Sequence, residues 1–200
     1  MKYLSFDQLV EQFSGRKDAG VFEFEYTGKF EKNEYFKIIF NGVVNSFVSN
    51  LSLIELCYTD NQSRTVIDFP DDDILANLKS MKIKLNSCFF FFGIVENNLK
   101  LIFRKFPEII SCYIFRDKTF VVQLSENLFT NELYFFQNGI NEDRVSFEPA
   151  STLNRKLLAE TLKLIEKKTN SIIVEWHCEL PIKINKYGFS EDAFIDYQRI

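Results

Sequence analysis

The first periodic segment of the chain is helical. Phe6, Leu9, Val10 and Phe13 recur at i, i+3, i+4 and i+7, Ser5 and Gln8 form a capping box, and Gly15 supplies a stop. This spacing predicts a short amphipathic helix docked on a core. Alternation then takes over. Phe22, Phe24 and Tyr26 interleave with Glu23, Glu25 and Thr27, the pattern of a half-buried strand. Tyr35–Phe40 reads as a second strand, Asn41-Gly42 as a hairpin turn, and Val43–Ser49 as the returning strand. Leu51–Tyr58 continues the series, and a polar turn over Thr59–Ser63 leads into Arg64–Phe69.

Pro70 interrupts this run. Asp71 is placed to cap a second helix, with Asp72 and Asp73 at the positive end of its dipole and Ile74, Leu75, Leu78 and Met81 as its inner stripe. Strand patterns resume at Cys88–Val95, Leu99–Phe103, Ile109–Phe115, Thr119–Leu124 and Glu132–Gln137, the last running into a loop at Asn138-Gly139. The run Phe89-Phe90-Phe91-Phe92 cannot alternate. It predicts a central strand covered on both faces, because on an edge it would template aggregation. A third helix is expected from a Ser151 cap to about Lys168, with Leu153, Leu157, Leu158, Leu162 and Ile165 facing inward. Ile172–Leu180 is the last long strand, followed by Pro181 and Ile182–Asn185, while Ser190–Ile200 fits helix and strand equally.

The fold expected from these elements is α+β. It is mainly antiparallel β-sheet, a sandwich or incomplete barrel of about nine to eleven strands, with three packed helices in one domain over residues 1–200.

Composition narrows the function classes. A net charge of -4 over 200 residues, with a pI near 5.2, is not that of a protein that coats nucleic acid. Lys100, Arg104 and Lys105 make only a short basic stretch, which reads as solvated surface. The 23 phenylalanines stand against 7 glycines and 4 prolines, a bias that A/T-rich codons account for; an aromatic ligand pocket is the other reading. Cys57, Cys88, Cys112 and Cys178 are scattered through apolar runs without a CxxC spacing, as free, buried thiols of a reducing compartment would be. The N-terminal residues lack an apolar signal region, and the uncharged stretch Leu85–Val95 is too short to span a bilayer as a helix. A cytoplasmic location is expected, with no membrane contact.

Motif spacing removes many chemistries. Phosphate cradles need closely spaced glycines ahead of a helix, and neither GxGxxG nor a P-loop occurs. A GxSxG elbow is also missing, and a single histidine excludes HExxH and paired-histidine sites. One local constellation is left: on a strand, Glu175, His177 and Glu179 share a face, a geometry for acid–base work or metal ligation, or simply a solvated strand face. Asp68, Asp71 and Asp72 could offer oxygen ligands to a divalent cation, although helix capping explains them without one. No cofactor is expected. The function expected is that of a non-enzymatic inhibitor or immunity-type protein that binds a protein partner, a basic one if its modest acidity is used. A barrel or sandwich holding a small apolar ligand and a carboxylate-dependent hydrolase are the alternatives.

Overall fold

The computed structural model describes residues 20–58, 62–95, 98–125, 128–129, 132–137, 140–146, 150–178 and 183–190. The helix expected at Ser5–Gly15 and the tail beyond Ser190 lie outside them. Among the described residues the chain forms eleven strands and three helices, and the class is α+β as expected. Seven strands make one antiparallel sheet: β1 (Gly20–Tyr26), β2 (Ser49–Tyr58), β3 (Ser63–Val66), β4 (Leu78–Val95), β5 (Asn98–Phe115), β6 (Thr119–Leu124) and β9 (Ser171–Cys178). Their order is β3-β2-β4-β5-β6-β1-β9, and the sheet is open. Two ribbons complete the strands, β7 (Glu132–Gln137) with β8 (Ile140–Ser146), and β10 (Ile184–Asn185) with β11 (Gly188–Phe189).

Helices α1 (Lys32–Val44) and α3 (Ala150–Thr169) lie on one face of the sheet, with α2 (Asp72–Asn77) leading into β4. Tyr35, Phe36, Ile39 and Val43 of α1 join Leu158, Leu162 and Ile165 of α3 over Phe22, Phe24, Ile54, Leu56, Ile83, Ile114 and Phe120 of the sheet. The rings meet in specific geometries, Phe24 stacked on Phe120 at 4.5 Å and Phe129 on Phe189 at 5.0 Å. Among the described residues, ten phenylalanines are buried in this core.

Two expectations are corrected. Tyr35–Val44 is helix, not a strand and a hairpin turn. The apolar positions 35, 36, 39 and 43 fit a 3.6-residue period, and burial of that stripe overrides both the β-propensity of the aromatic residues and the turn signal at Asn41-Gly42. The second helix stops at Asn77 instead of reaching Met81. From Leu78 the residues Met81, Ile83 and Leu85 alternate inward against β2, so strand pairing wins the segment.

Strands β4 and β5 form a hairpin whose arms run 18 residues each. β2 pairs with β4 only as far as Ser87, and β6 pairs with β5 only over Ile110–Ile114. The distal part, carrying Phe89–Phe92, therefore extends beyond both neighbours. An irregularity at Pro107-Glu108 separates the two parts, with Glu108 at φ 45° and its N–H bonded to Asn86 Oδ1 at 3.0 Å. Lys84 ties the irregularity down through Glu108 at 3.1 Å and Glu55 at 3.6 Å, and its hydrogen bond to Glu108 holds its pKa above the usual lysine value.

Candidate interaction surface

Glu175 and His177 lie on β9, the last strand of the sheet, with His177 Nδ1 3.9 Å from a Glu175 oxygen. Their side chains are 66% and 55% exposed, so any attraction is weakened by solvent. Glu179 lies outside the described residues. An extra residue at Val174 shifts the register against β1, which sets Glu175 opposite Glu23, and His177 opposite Val21. Trp176 lies opposite Phe22.

The aspartates are spread along the start of α2. Asp71 accepts a hydrogen bond from Ile74 N–H at 3.0 Å, the capping geometry expected of it. Asp72 pairs with Lys37 of α1 at 2.9 Å, and Asp68 is exposed in the preceding bend. Among the described residues, no three His, Cys, Asp or Glu side chains gather as a metal site would require. All four cysteines are free; Cys112 is buried, which pushes its thiol pKa up, but Cys57 is exposed, contrary to the expected burial of all four. Cys57 sits opposite Ser80 on the face away from α1 and α3.

Polar groups inside the fold do structural work that periodicity hides. Asn154 of α3 is fully buried. Its Oδ1 accepts from Phe90 N–H at 2.8 Å while its Nδ2 donates to the Phe90 and Leu128 carbonyls at 2.9 Å. The carboxamide thus stands in for a neighbouring strand where β2 has ended. Arg155 donates to the Phe129 carbonyl at 2.8 Å and to Thr152 Oγ1 at 2.9 Å.

Glu166, 15% exposed, plays a similar part at the sheet edge. It accepts from Ile173 N–H at 2.8 Å and Tyr187 O–H at 2.8 Å, and pairs with Lys186 at 3.0 Å. Burial works to raise its pKa, but the bonds from Ile173, Lys186 and Tyr187 outweigh that and hold it below the usual glutamate value. A depressed native pKa means the stabilisation is whole above the ordinary glutamate range, near 4.3, and fades as pH falls through the native value. Glu166→Gln should therefore cost about 1 kcal/mol at neutral pH and progressively less in acid. Urea midpoints of both proteins at neutral pH and at about pH 3 check this; a gap that stays constant with pH refutes it.

Two surface grooves are described, of about 330 Å³ beside Glu34, Lys37, Asn41 and Lys168, and of about 300 Å³ beside Cys57, Tyr58, Lys79 and Phe115. In neither do groups converge as acid–base chemistry requires. The outer face of the distal β4–β5 hairpin is different in kind. Phe90 faces Phe103 across the strands, ring centroids 4.7 Å apart, and Phe92 faces Leu101. Cys88 faces Lys105 and donates its N–H to the Val48 carbonyl at 2.9 Å, which brings Val48 alongside. Val48 is 55%, Phe103 42% and Leu101 40% exposed, and Phe90 and Phe92 are partly buried. The Phe run lies in an interior strand, as expected, yet only Phe89 and Phe91 are fully covered. The alternation of the strand turns Phe90 and Phe92 to the face away from α1 and α3.

No protein-family model, curated protein or solved structure matches this chain.

Proposed function

We propose that this chain is a non-enzymatic protein-binding domain that acts as an inhibitor or immunity-type protein does, by covering a surface of its partner. One observation carries the reading: the continuous apolar band of Val48, Cys88, Phe90, Phe92, Leu101 and Phe103 on the outer face of the sheet. Exposed aromatic side chains in cross-strand contact make rigid anchors, the type that dominates protein interfaces. The band is a sheet face with Lys105 as its one charged member, and so suits an apolar protein surface better than a small ligand, which needs a concavity. The free thiols accord with a reducing cytoplasm, and no described helix is long and apolar enough to cross a membrane.

The test uses the full chain and Phe103→Lys as parallel baits in host lysate. Because Phe103 is 42% exposed but packs on Phe90, Phe103→Lys should cost no more than about 1 to 2 kcal/mol and leave the protein folded. It should lower recovery of a stoichiometric protein partner at least about tenfold. Equal recovery by the two baits, or no stoichiometric protein on either, overturns the reading.

A further inference from the structure

Among the described residues, strand β9 has β1 as its one hydrogen-bonded strand neighbour, so its far edge borders the sheet. At Ile173 that edge is sealed by Glu166, which Lys186 and Tyr187 hold in place. Among the described residues no side chain continues this seal over Val174–His177. Val174, Glu175, Trp176 and His177 are exposed in succession, and Ile172 is exposed just before the sealed residue.

Lys186 is taken up by Glu166, and the other charges set along this part of the ladder are carboxylates. Glu175 and Glu23 are directly opposite across the ladder, and Glu25 follows on β1 opposite Ile172. Like charges facing each other across antiparallel strands repel. Among the described residues no lysine or arginine lies within ion-pair distance of these three carboxylates, and Glu175 has only the imidazole of His177. A second copy of the chain would set Glu175 of one edge near the same carboxylates of the other, so self-pairing is disfavoured. A strand with cationic side chains meets both features, covering Val174 and Trp176 while neutralising Glu23 and Glu175.

We infer that the open stretch of the β9 edge takes an extended, basic segment of a protein partner. This builds on the protein-binding reading but uses residues other than the apolar band. Strand addition at an edge gives affinity through the backbone and selectivity through side chains, and complementary charge raises the rate of encounter.

Trp176 is the single tryptophan of the chain, so its fluorescence reports on this edge directly. The probes are strand-length peptides of alternating lysine and valine, and of alternating glutamate and valine, titrated onto the full protein. The lysine peptide is expected to shift Trp176 emission saturably and more weakly at high salt, and the glutamate peptide to leave it unchanged. The double variant Glu23→Gln, Glu175→Gln should weaken the lysine peptide about tenfold, and Phe103→Lys should not. The double variant removes a repulsion and is expected to fold at least as well as the parent, so its loss of binding is readable. Equal response to both peptides, full binding by the double variant, or loss on Phe103→Lys overturns the inference. Partner capture that depends on Phe103 but not on Glu23 and Glu175 sinks this inference alone.

Discussion

Asn154→Leu is expected to lower stability by about 3 to 5 kcal/mol, the largest effect foreseen for a single polar side chain here. Leucine keeps the branching of asparagine at Cγ, is somewhat bulkier, and offers neither donor nor acceptor. The N–H and carbonyl of Phe90 and the carbonyl of Leu128 lose their partner together, at a site fully shielded from water at Asn154 itself. A buried group left without its bond costs about 1 to 3 kcal/mol, and three are affected, two of them on the partly buried Phe90. Denaturant unfolding measures the total, and hydrogen exchange at the Phe90 amide localises it. A loss under about 1 kcal/mol, or unchanged protection of that amide, would show that the carboxamide does not support the strand.

Gly42→Ala should also destabilise, by about 2 kcal/mol, although helix propensity alone favours alanine by about 1 kcal/mol. Gly42 is buried in α1 where that helix passes α3. A methyl group added there would overlap the Thr169 methyl. Thr169 cannot turn aside cheaply, because its hydroxyl is bonded to the Ile165 carbonyl at 2.7 Å and to the Ser171 hydroxyl at 2.9 Å. Steric cost therefore exceeds the backbone gain. Thr169→Ser removes the obstructing methyl and keeps the hydroxyl. Adding it to Gly42→Ala should recover more than about 1 kcal/mol, a coupling that a double-mutant cycle in urea reads. Additive single effects would place the cost elsewhere.

That glycine also shows where sequence reading reaches its limit. Asn-Gly between apolar runs is a strong hairpin signal, and only the approach of α3, more than a hundred residues away in the chain, makes it a helix contact. Local pattern was enough where one period dominated: Val21–Tyr26 as a half-buried strand, the stripe Leu158, Leu162 and Ile165, and the Asp71 cap are all in place. It failed for Leu78–Met81, where the same apolar spacing serves helix and strand until β2 supplies a partner. Asn154 and Glu166 gave no signal, since a lone polar residue in a helix looks solvated until the strand it bonds is known. Glu175 and His177 were legible as a shared strand face, but Glu23, which gives that face its character, is some 150 residues away in sequence and adjacent only through register.

The position of β1 between β6 and β9 sets the timetable of folding. Phe24 must find Phe120 on one side and Ile173 on the other, so the earliest strand waits for two of the later ones to emerge. Loop closure over such spans is costly before any contact rewards it, which places the domain among slow folders, at milliseconds to seconds. During synthesis the ribosome would release Phe22 and Phe24 well ahead of the strands that cover them. The nascent chain is then most in need of a chaperone until Ser171–Cys178 arrives.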